Sequence, residues 1–357
     1  NSHNKFSIPA ITPLIFNLSL IGSAWLVAPK IDIPVMALAW GVLLAGFLQL
    51  LFQIAPLATI KKIPIPKIDF QNPGVKKFFI LILPAIVAGG IAQINLLIDT
   101  IFASLLITGS PTWLYVSDRL IQFPMGIFAI AIGTVLLPSL SKAYAQKEIQ
   151  AYTEQLEHAF KLVFFLAIPS LIGLVLFASP LLATIFQRGA FLWSDVQQAS
   201  LSLIAFSFGL PFFMAMKVLV PAFFSRQNTK TPMLIAFLSL LINVCLNYLL
   251  AFYFGLGHLG LAIASSISAI VSVIILSFIL KRDGLISFTG ILSTFSLKVL
   301  IASVALISFL SIFNQYFDFE LFSQTQRLLH LVAAVIGSLI IYFGSSFILG
   351  VRPADFK

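Results

Sequence analysis

Long apolar runs separated by short polar segments dominate the sequence. Each run reaches about 20 mostly apolar residues, the length that an α-helix needs to cross the hydrocarbon core of a bilayer. There are ten such runs, at about residues 10–28, 33–54, 78–107, 111–141, 160–186, 199–224, 233–254, 259–280, 297–313 and 328–350. They are too long for barrel strands and lack strict apolar–polar alternation. The pattern therefore predicts an all-α polytopic membrane protein with about ten transmembrane helices.

The composition excludes several other classes of protein. Of the 357 residues, 60% are hydrophobic and 9% are charged, whereas about a quarter of the residues in an average soluble domain are charged. So few charges could not cover the surface of a soluble fold, which excludes a soluble enzyme, a disordered chain and a nucleic-acid binder. The single cysteine, Cys245, excludes an intrachain disulfide.

The sequence shows no catalytic or metal-binding motif. It contains no Walker loop, GxSxG elbow or HExxH motif, and its four histidines are scattered. We therefore expect neither an enzyme nor an ATP-driven pump, and neither a metal nor another cofactor. An ion gradient, the membrane potential or the substrate's own gradient would then supply the energy for any transport, and the ion is left open.

The distribution of basic residues predicts the orientation in the membrane. If the chain starts inside, alternate loops carry sixteen Lys and Arg on the inner side and three on the outer side. This asymmetry follows the positive-inside rule. It supports the ten-span count and places the C-terminus in the cytoplasm, so the net charge of +9 is mainly a signal of topology.

Four charged residues fall inside predicted spans and away from their ends: Asp99, Asp118, Arg119 and Lys217. At 1.5 Å per residue, the first three lie roughly 12 Å below the outer edge of the bilayer. Charges at such depth are costly unless they are paired or hydrated. An Asp99–Arg119 pair between neighbouring antiparallel helices would fit this spacing. The functional interpretation is a water-filled site in which Arg119 binds an anion, and the structural one is an ion pair that locks two helices.

Polar residues accompany these charges on the same helix faces. Asn95 lies one turn from Asp99, and Gln122 lies one turn from Asp118. Lys217 lies between Pro211 and Pro221, which predict a bent helix. Its ammonium group either faces the same cavity as Arg119 or extends to the interface.

Amides and prolines recur in the other spans. Asn243 and Asn247, spaced i, i+4, are more typical of bonds between helices than of substrate binding. Prolines within the spans, together with Gly89-Gly90, are typical of hinges in transporters but also occur in channels and scaffolds.

Four segments of the sequence carry a recognisable pattern. The most specific is residues 117–141, SDRLIQFPMGIFAIAIGTVLLPSLS; the others are residues 93–104, QINLLIDTIFAS, residues 217–232, KVLVPAFFSRQNTKTP, and residues 4–10, NKFSIPA. These segments resemble the lipid II flippase family named MurJ or MviN. The resemblance covers nearly the whole chain. It implies membership of the multidrug/oligosaccharidyl-lipid/polysaccharide exporter superfamily, with the ten spans corresponding to helices 5–14 of a fourteen-helix fold.

The resemblance also implies a division into domains. Residues 1–57 would be the remnant of an N-lobe, 58–77 a basic cytoplasmic linker, 78–282 a six-helix C-lobe, and 283–357 a helix pair that forms a groove for a lipid tail. The abrupt polar start without an initiator Met is expected of a truncated chain, and a protein lacking the first four helices would be inactive.

The function that the resemblance implies is translocation of undecaprenyl-diphosphate-linked peptidoglycan precursor across the bacterial inner membrane by alternating access. Arg119 matches an arginine in the family's central cationic cavity, and Asp118 is its neighbour in the motif. The substrate-binding set is expected to comprise Asn95, Asp99, Asp118, Arg119, Gln122 and Lys217. The partners would be the lipid-linked substrate, membrane lipids and proteins of cell-wall synthesis.

The sequence departs from the family pattern in two ways. Gln122 stands where some family members carry Glu, so an acid–base role there is in doubt, and other cavity arginines of the family lie on the absent first helices.

Two alternative functions are left open. A drug/cation antiporter of the same superfamily would predict a cavity dominated by acids, whereas the deep charges here are balanced. A non-transporting scaffold would tolerate joint neutralisation of Asp99 and Arg119.

Overall fold

The computed structural model describes residues 7–59, 73–286, 294–352 and 355, and every regular element among them is helical. The helices are α1 Ser7–Gly22, α2 Pro34–Thr59, α3 Pro73–Ser104, α4 Ser110–Pro124, α5 Ile130–Ala145, α6 Ile149–Leu176, α7 Ala178–Phe186, α8 Trp193–Phe224, α9 Lys230–Asn247, α10 Gly257–Arg282, α11 Thr294–Tyr316 and α12 Gln324–Ile348. Turns of π-helix follow α1, α4 and α9, at Ser23–Val27, Met125–Ala129 and Tyr248–Tyr253.

The helices confirm the predicted membrane architecture. Eight stretches among the described residues are long and apolar enough to cross a bilayer. The other two predicted spans, 78–107 and 111–141, coincide with α3 and with α4, its π-helical turn and α5. Because that π-helical turn divides the apolar run, neither α4 nor α5 alone has the length of a span.

The chain divides into two compact units, residues Asn1–Lys76 and Lys77–Lys357. The predicted basic linker, 58–77, lies largely outside the described residues, and the predicted division of the C-terminal part at 282 stays a prediction.

In the first unit, α1 packs on α2 through small residues. Ala37 and Ala45 are fully buried, and a Cβ on Gly41, between them in sequence, would lie 2.6 Å from the hydroxyl oxygen of Ser23. Small residues four apart allow such close helix contact in membranes.

Helix α8 is the centre of the second unit. It packs against α4, α5, α6, α7 and α10, and its fully buried residues include Leu203, Leu210 and Met214. It runs without interruption through both Pro211 and Pro221. Because all five of these helices pack on it, α8 fixes their mutual positions.

One predicted boundary was wrong. The run 160–186 was predicted as one span, but α6 extends from Ile149 to Leu176 and a break at Phe177 separates it from the short α7. Hydropathy does not detect this break because both helices are apolar. The Phe177 side chain is buried and contacts the rings of Phe313 and Phe319.

The C-terminal helices α11 and α12 pack on each other, and α11 also packs on α6. The hydroxyl of Tyr342 donates to the carbonyl oxygen of Phe165 at 2.6 Å. The buried guanidinium of Arg327 donates to the carbonyls of Phe319 and Glu320 and to the side chain of Gln187. These bonds attach the α11–α12 connection to the end of α7.

Candidate functional site

One face of helix α4 is hydrogen-bonded to α8, and the opposite face is exposed. On the fixed face, the indole N–H of Trp113 donates to Oδ1 of Asp195 on α8 at 2.8 Å. One turn further, the hydroxyl of Ser117 donates to the carbonyl oxygen of Ala199 at 2.8 Å. The two bonds set the rotation of α4 about its axis, and thereby determine where the following residues, Asp118 and Arg119, point.

The opposite face of α4 carries three of the predicted site residues. Arg119 and Gln122 are exposed and Asp118 is partly buried. The amide of Gln122 donates to Oδ2 of Asp118 at 2.7 Å, and the guanidinium carbon of Arg119 lies 4.9 Å from the ring centroid of Tyr115. The structure thus brings Asp118 and Gln122 together and places Arg119 beside an aromatic ring.

The ion pair between Asp99 and Arg119, one of the two interpretations of these charges, does not form in the structure. The side-chain ion pair found within 4.0 Å in the described part of the chain joins Arg226 to Asp283. The carboxylate of Asp99 instead accepts hydrogen bonds from Asn247 at 2.6 Å and from Asn95 at 3.2 Å. Amide donors on its own helix and on α9 therefore satisfy Asp99, and the guanidinium of Arg119 is left for another partner.

Asp99 belongs to a polar cluster that links three helices. The side chain of Asn247 also donates to Oδ1 of Asn243 at 2.9 Å, and Asn243 donates to the hydroxyl of Ser265 on α10 at 3.2 Å. Asn243 and Asn247 are almost completely buried. The cluster connects α3, α9 and α10 within the apolar interior, as the interpretation of these amides as interhelical bonds predicted.

Two oxygens of this cluster lack a partner. Oδ1 of Asn95 and Oδ1 of Asn247 are buried and accept no hydrogen bond from the described residues. A buried acceptor without a donor is costly. Amide and carboxylate oxygens, such as these two and those of Asp99, are of the type that hard cations prefer. No group of three or more His, Cys, Asp or Glu among the described residues could hold a metal ion.

Lys217 is on a different helix from the other predicted residues. It lies on α8 and is exposed. Its backbone is close to α5. A Cβ added to Gly133 of α5 would lie 3.1 Å from the Lys217 carbonyl oxygen. Neither Lys217 nor Arg119 has a carboxylate within 4.0 Å in the part of the chain that the structure describes. Among the described residues, both cations that lie deep inside predicted spans therefore lack an acidic partner.

Sequence reasoning missed several residues that shape this site. Tyr115 lies one turn before Arg119, but an aromatic residue in an apolar helix gives no distinct signal. Trp113 and Ser265 are equally ordinary in a membrane helix. His258 lies in the first turn of α10, where it is buried and contacts Ser202 at 2.7 Å.

The chain is similar to proteins of one family. A family model described as lipid II flippase MurJ matches residues 1–327. A probable lipid II flippase MurJ of Vibrio cholerae serotype O1 is 37% identical over 361 residues, covering 100% of this chain and 68% of its own length. The lipid II flippase MurJ of Burkholderia cenocepacia is 32% identical over 363 residues, covering 100% of this chain and 70% of its own length.

Two solved structures are also similar to this chain. Lipid II flippase MurJ in an inward closed conformation matches with a TM-score of 0.73 and 27% identity, over 98% of this chain and 68% of that one. An outward-facing multidrug-resistance transporter of the MATE family matches with a TM-score of 0.52 and 16% identity, over 75% of this chain and 61% of that one. The second match concerns the fold alone.

Proposed function

We propose that this chain, which belongs to the lipid II flippase MurJ family, takes part in translocating lipid II across the bacterial inner membrane by alternating access. The observation that carries the proposal is the guanidinium of Arg119. It is exposed on α4 and has no carboxylate within 4.0 Å among the described residues. A cation at this depth needs water or an anionic ligand, and the diphosphate of a lipid-linked precursor is such a ligand.

The chemistry of the headgroup favours arginine at this position. The planar guanidinium donates two parallel hydrogen bonds to phosphate oxygens, which an ammonium group cannot do. Asp118 accepts a hydrogen bond from Gln122, and it makes no ion pair with Arg119 within 4.0 Å. We propose that Lys217 supplies a second cation along the path of the headgroup. The polyprenyl tail would stay in the bilayer, in a groove formed by α11 and α12, while the protein leaves the substrate chemically unchanged.

The polar cluster around Asp99 is the proposed coupling site. It contains the carboxylate of Asp99 and two amide oxygens that accept no hydrogen bond from the described residues. It connects the end of α3 to α9 and α10. Binding of an ion or a proton from a gradient would change the net charge of this cluster, which connects the three helices.

The chain is a multi-pass membrane protein, and we propose that its C-terminus lies in the cytoplasm. Sixteen basic residues fall in loops on one predicted side and three on the other, which fits the positive-inside rule. A flippase of this kind delivers its substrate to the outer face of the membrane, so we also propose contacts there with proteins of cell-wall synthesis.

The proposal is tested by translocation of labelled lipid II in proteoliposomes that contain the full-length protein. We expect Arg119→Ala to abolish translocation and Arg119→Lys to restore a minor part, because lysine keeps the charge but loses the bidentate geometry. Arg188→Ala is the matched control, since Arg188 lies between α7 and α8, outside the spans. Translocation by Arg119→Ala at the rate of the unaltered protein would overturn the proposal.

A further inference from the structure

The exposed face of α4 carries an aromatic ring directly beside the proposed phosphate ligand. Tyr115 is 57% exposed and lies four residues before Arg119, so the two side chains are neighbours on one helix face. Gln122 continues the same stripe one turn further, and beyond it a Cβ on Gly126 would meet no atom within 4 Å. The stripe therefore borders open space, where a ligand has room.

The orientation of Tyr115 is fixed by the opposite side of the helix. Trp113 and Ser117, two residues before and two residues after Tyr115, both bond to α8. These bonds prevent α4 from rotating, so the Tyr115 ring cannot turn into the packed interior. The ring remains on the face that carries Arg119.

The Tyr115 ring lies against the Arg119 guanidinium. The guanidinium carbon of Arg119 lies 4.9 Å from the centroid of the Tyr115 ring, within the distance of a cation–π interaction. The neighbouring carboxylate of Asp118 is engaged by Gln122 at 2.7 Å. An aromatic face attracts the guanidinium without using its N–H donors in hydrogen bonds, so those donors stay available to phosphate oxygens.

We propose that Tyr115 is a positioning residue for headgroup binding: its ring holds the Arg119 guanidinium in the orientation that receives the diphosphate. This inference rests on the proposed function, since it assigns a second residue to the same site. Ordering a long side chain before the ligand arrives reduces the conformational entropy that binding must overcome. Tyr115 therefore strengthens binding through Arg119, without itself contacting the substrate.

The experiment measures the affinity of the full-length protein for lipid II and for undecaprenyl diphosphate, which lacks the sugars. We expect Tyr115→Leu to weaken both affinities by a similar factor, about 3- to 10-fold. Tyr115→Phe, which keeps the ring, should stay within about twofold of the unaltered protein. Phe123→Leu is the matched control, because Phe123 is a 70% exposed aromatic residue on the same helix.

A double-mutant cycle separates positioning from a general structural role. If Tyr115 acts through Arg119, Tyr115→Leu has no further effect on affinity in an Arg119→Ala background. The same loss in both backgrounds would overturn the inference, as would a loss confined to lipid II, because the ring would then contact the saccharide. Normal lipid II binding by Tyr115→Leu would remove this inference alone, whereas no lipid II binding by the unaltered protein would remove the proposed function with it.

Discussion

The side-chain amide of Asn247 donates a hydrogen bond of 2.6 Å to Oδ1 of Asp99, across 148 positions of sequence. This bond connects the end of α3 to the end of α9, and Asn243 extends the connection to Ser265 on α10. A carboxylate held in this way can change its charge or bind an ion while its neighbours stay in place.

Replacing Asp99 by asparagine tests whether the charge of this cluster matters for coupling. The substituted amide would keep an oxygen that accepts from Asn247, so we expect Asp99→Asn to fold normally. It should lose the dependence of lipid II translocation on an imposed ion gradient or membrane potential, because the charge that responds to them is gone. The measurement is the translocation rate in proteoliposomes with and without each gradient.

Asp318→Asn is the control for that experiment, because Asp318 is an exposed acid in the α11–α12 connection. Unchanged gradient dependence in Asp99→Asn would exclude the cluster as the coupling site. A change of equal size in Asp318→Asn would show that the effect is not specific to the cluster.

The bond from Trp113 to Asp195 should contribute measurably to stability. Trp113→Phe keeps an aromatic ring but removes the donor of the 2.8 Å bond, which we expect to cost about 1–3 kcal/mol. Trp193→Phe is the matched control, since the indole N–H of Trp193 has no partner among the described residues. In detergent, the midpoint of thermal unfolding should be well lower for Trp113→Phe than for Trp193→Phe. An equal shift of the midpoint in both variants would contradict this account of α4.

The ion pair between Arg226 and Asp283 joins the ends of α8 and α10. Nη1 of Arg226 lies 2.8 Å from Oδ2 of Asp283, and the side chains are 10% and 32% exposed. We expect Asp283→Asn to cost roughly 1–2 kcal/mol, and Arg226→Ala to cost more because it also loses the contact with the Phe223 ring. The check is the midpoint of thermal unfolding at low and high salt. A charge-reversed double variant that recovers no stability would argue against the pair.

Close packing of α10 depends on the absence of a side chain at Gly260. A Cβ there would lie 2.7 Å from the backbone nitrogen of Ala251, and backbone cannot move aside as a flexible side chain can. We expect Gly260→Ala to destabilise the protein by several degrees in thermal unfolding. Gly344→Ala should be neutral or slightly stabilising, because a Cβ on Gly344 meets nothing within 4 Å and alanine favours helix. Similar melting temperatures for the two variants would contradict this packing.

The positions of most helices could be predicted from the sequence, because apolar length is a strong signal for a span. The predicted spans 199–224, 233–254 and 259–280 fall on α8, on α9 with its π-helical turn, and on α10. The break at Phe177 could not be predicted, since hydropathy stays high on both sides of it. Only the burial of its ring among other aromatic residues distinguishes the position.

The partners of the site residues were less predictable than the site residues themselves. Sequence placed Asp99 and Arg119 at one depth, and opposite charges at one depth favour an ion pair. The structure gives Asp99 amide partners and places Arg119 over Tyr115. Helices that are apolar on nearly every side carry little information about their rotation, so contacts across helices depend on packing that hydropathy does not encode.

The most direct test of the central claim is the affinity of the full-length protein for lipid II with and without the Arg119 guanidinium. The variant Arg119→Gln keeps a polar side chain but removes its charge. We predict at least about tenfold weaker binding, the loss expected for charge-assisted hydrogen bonds to phosphate. Affinity equal to that of the unaltered protein would contradict the claim that Arg119 binds the diphosphate headgroup.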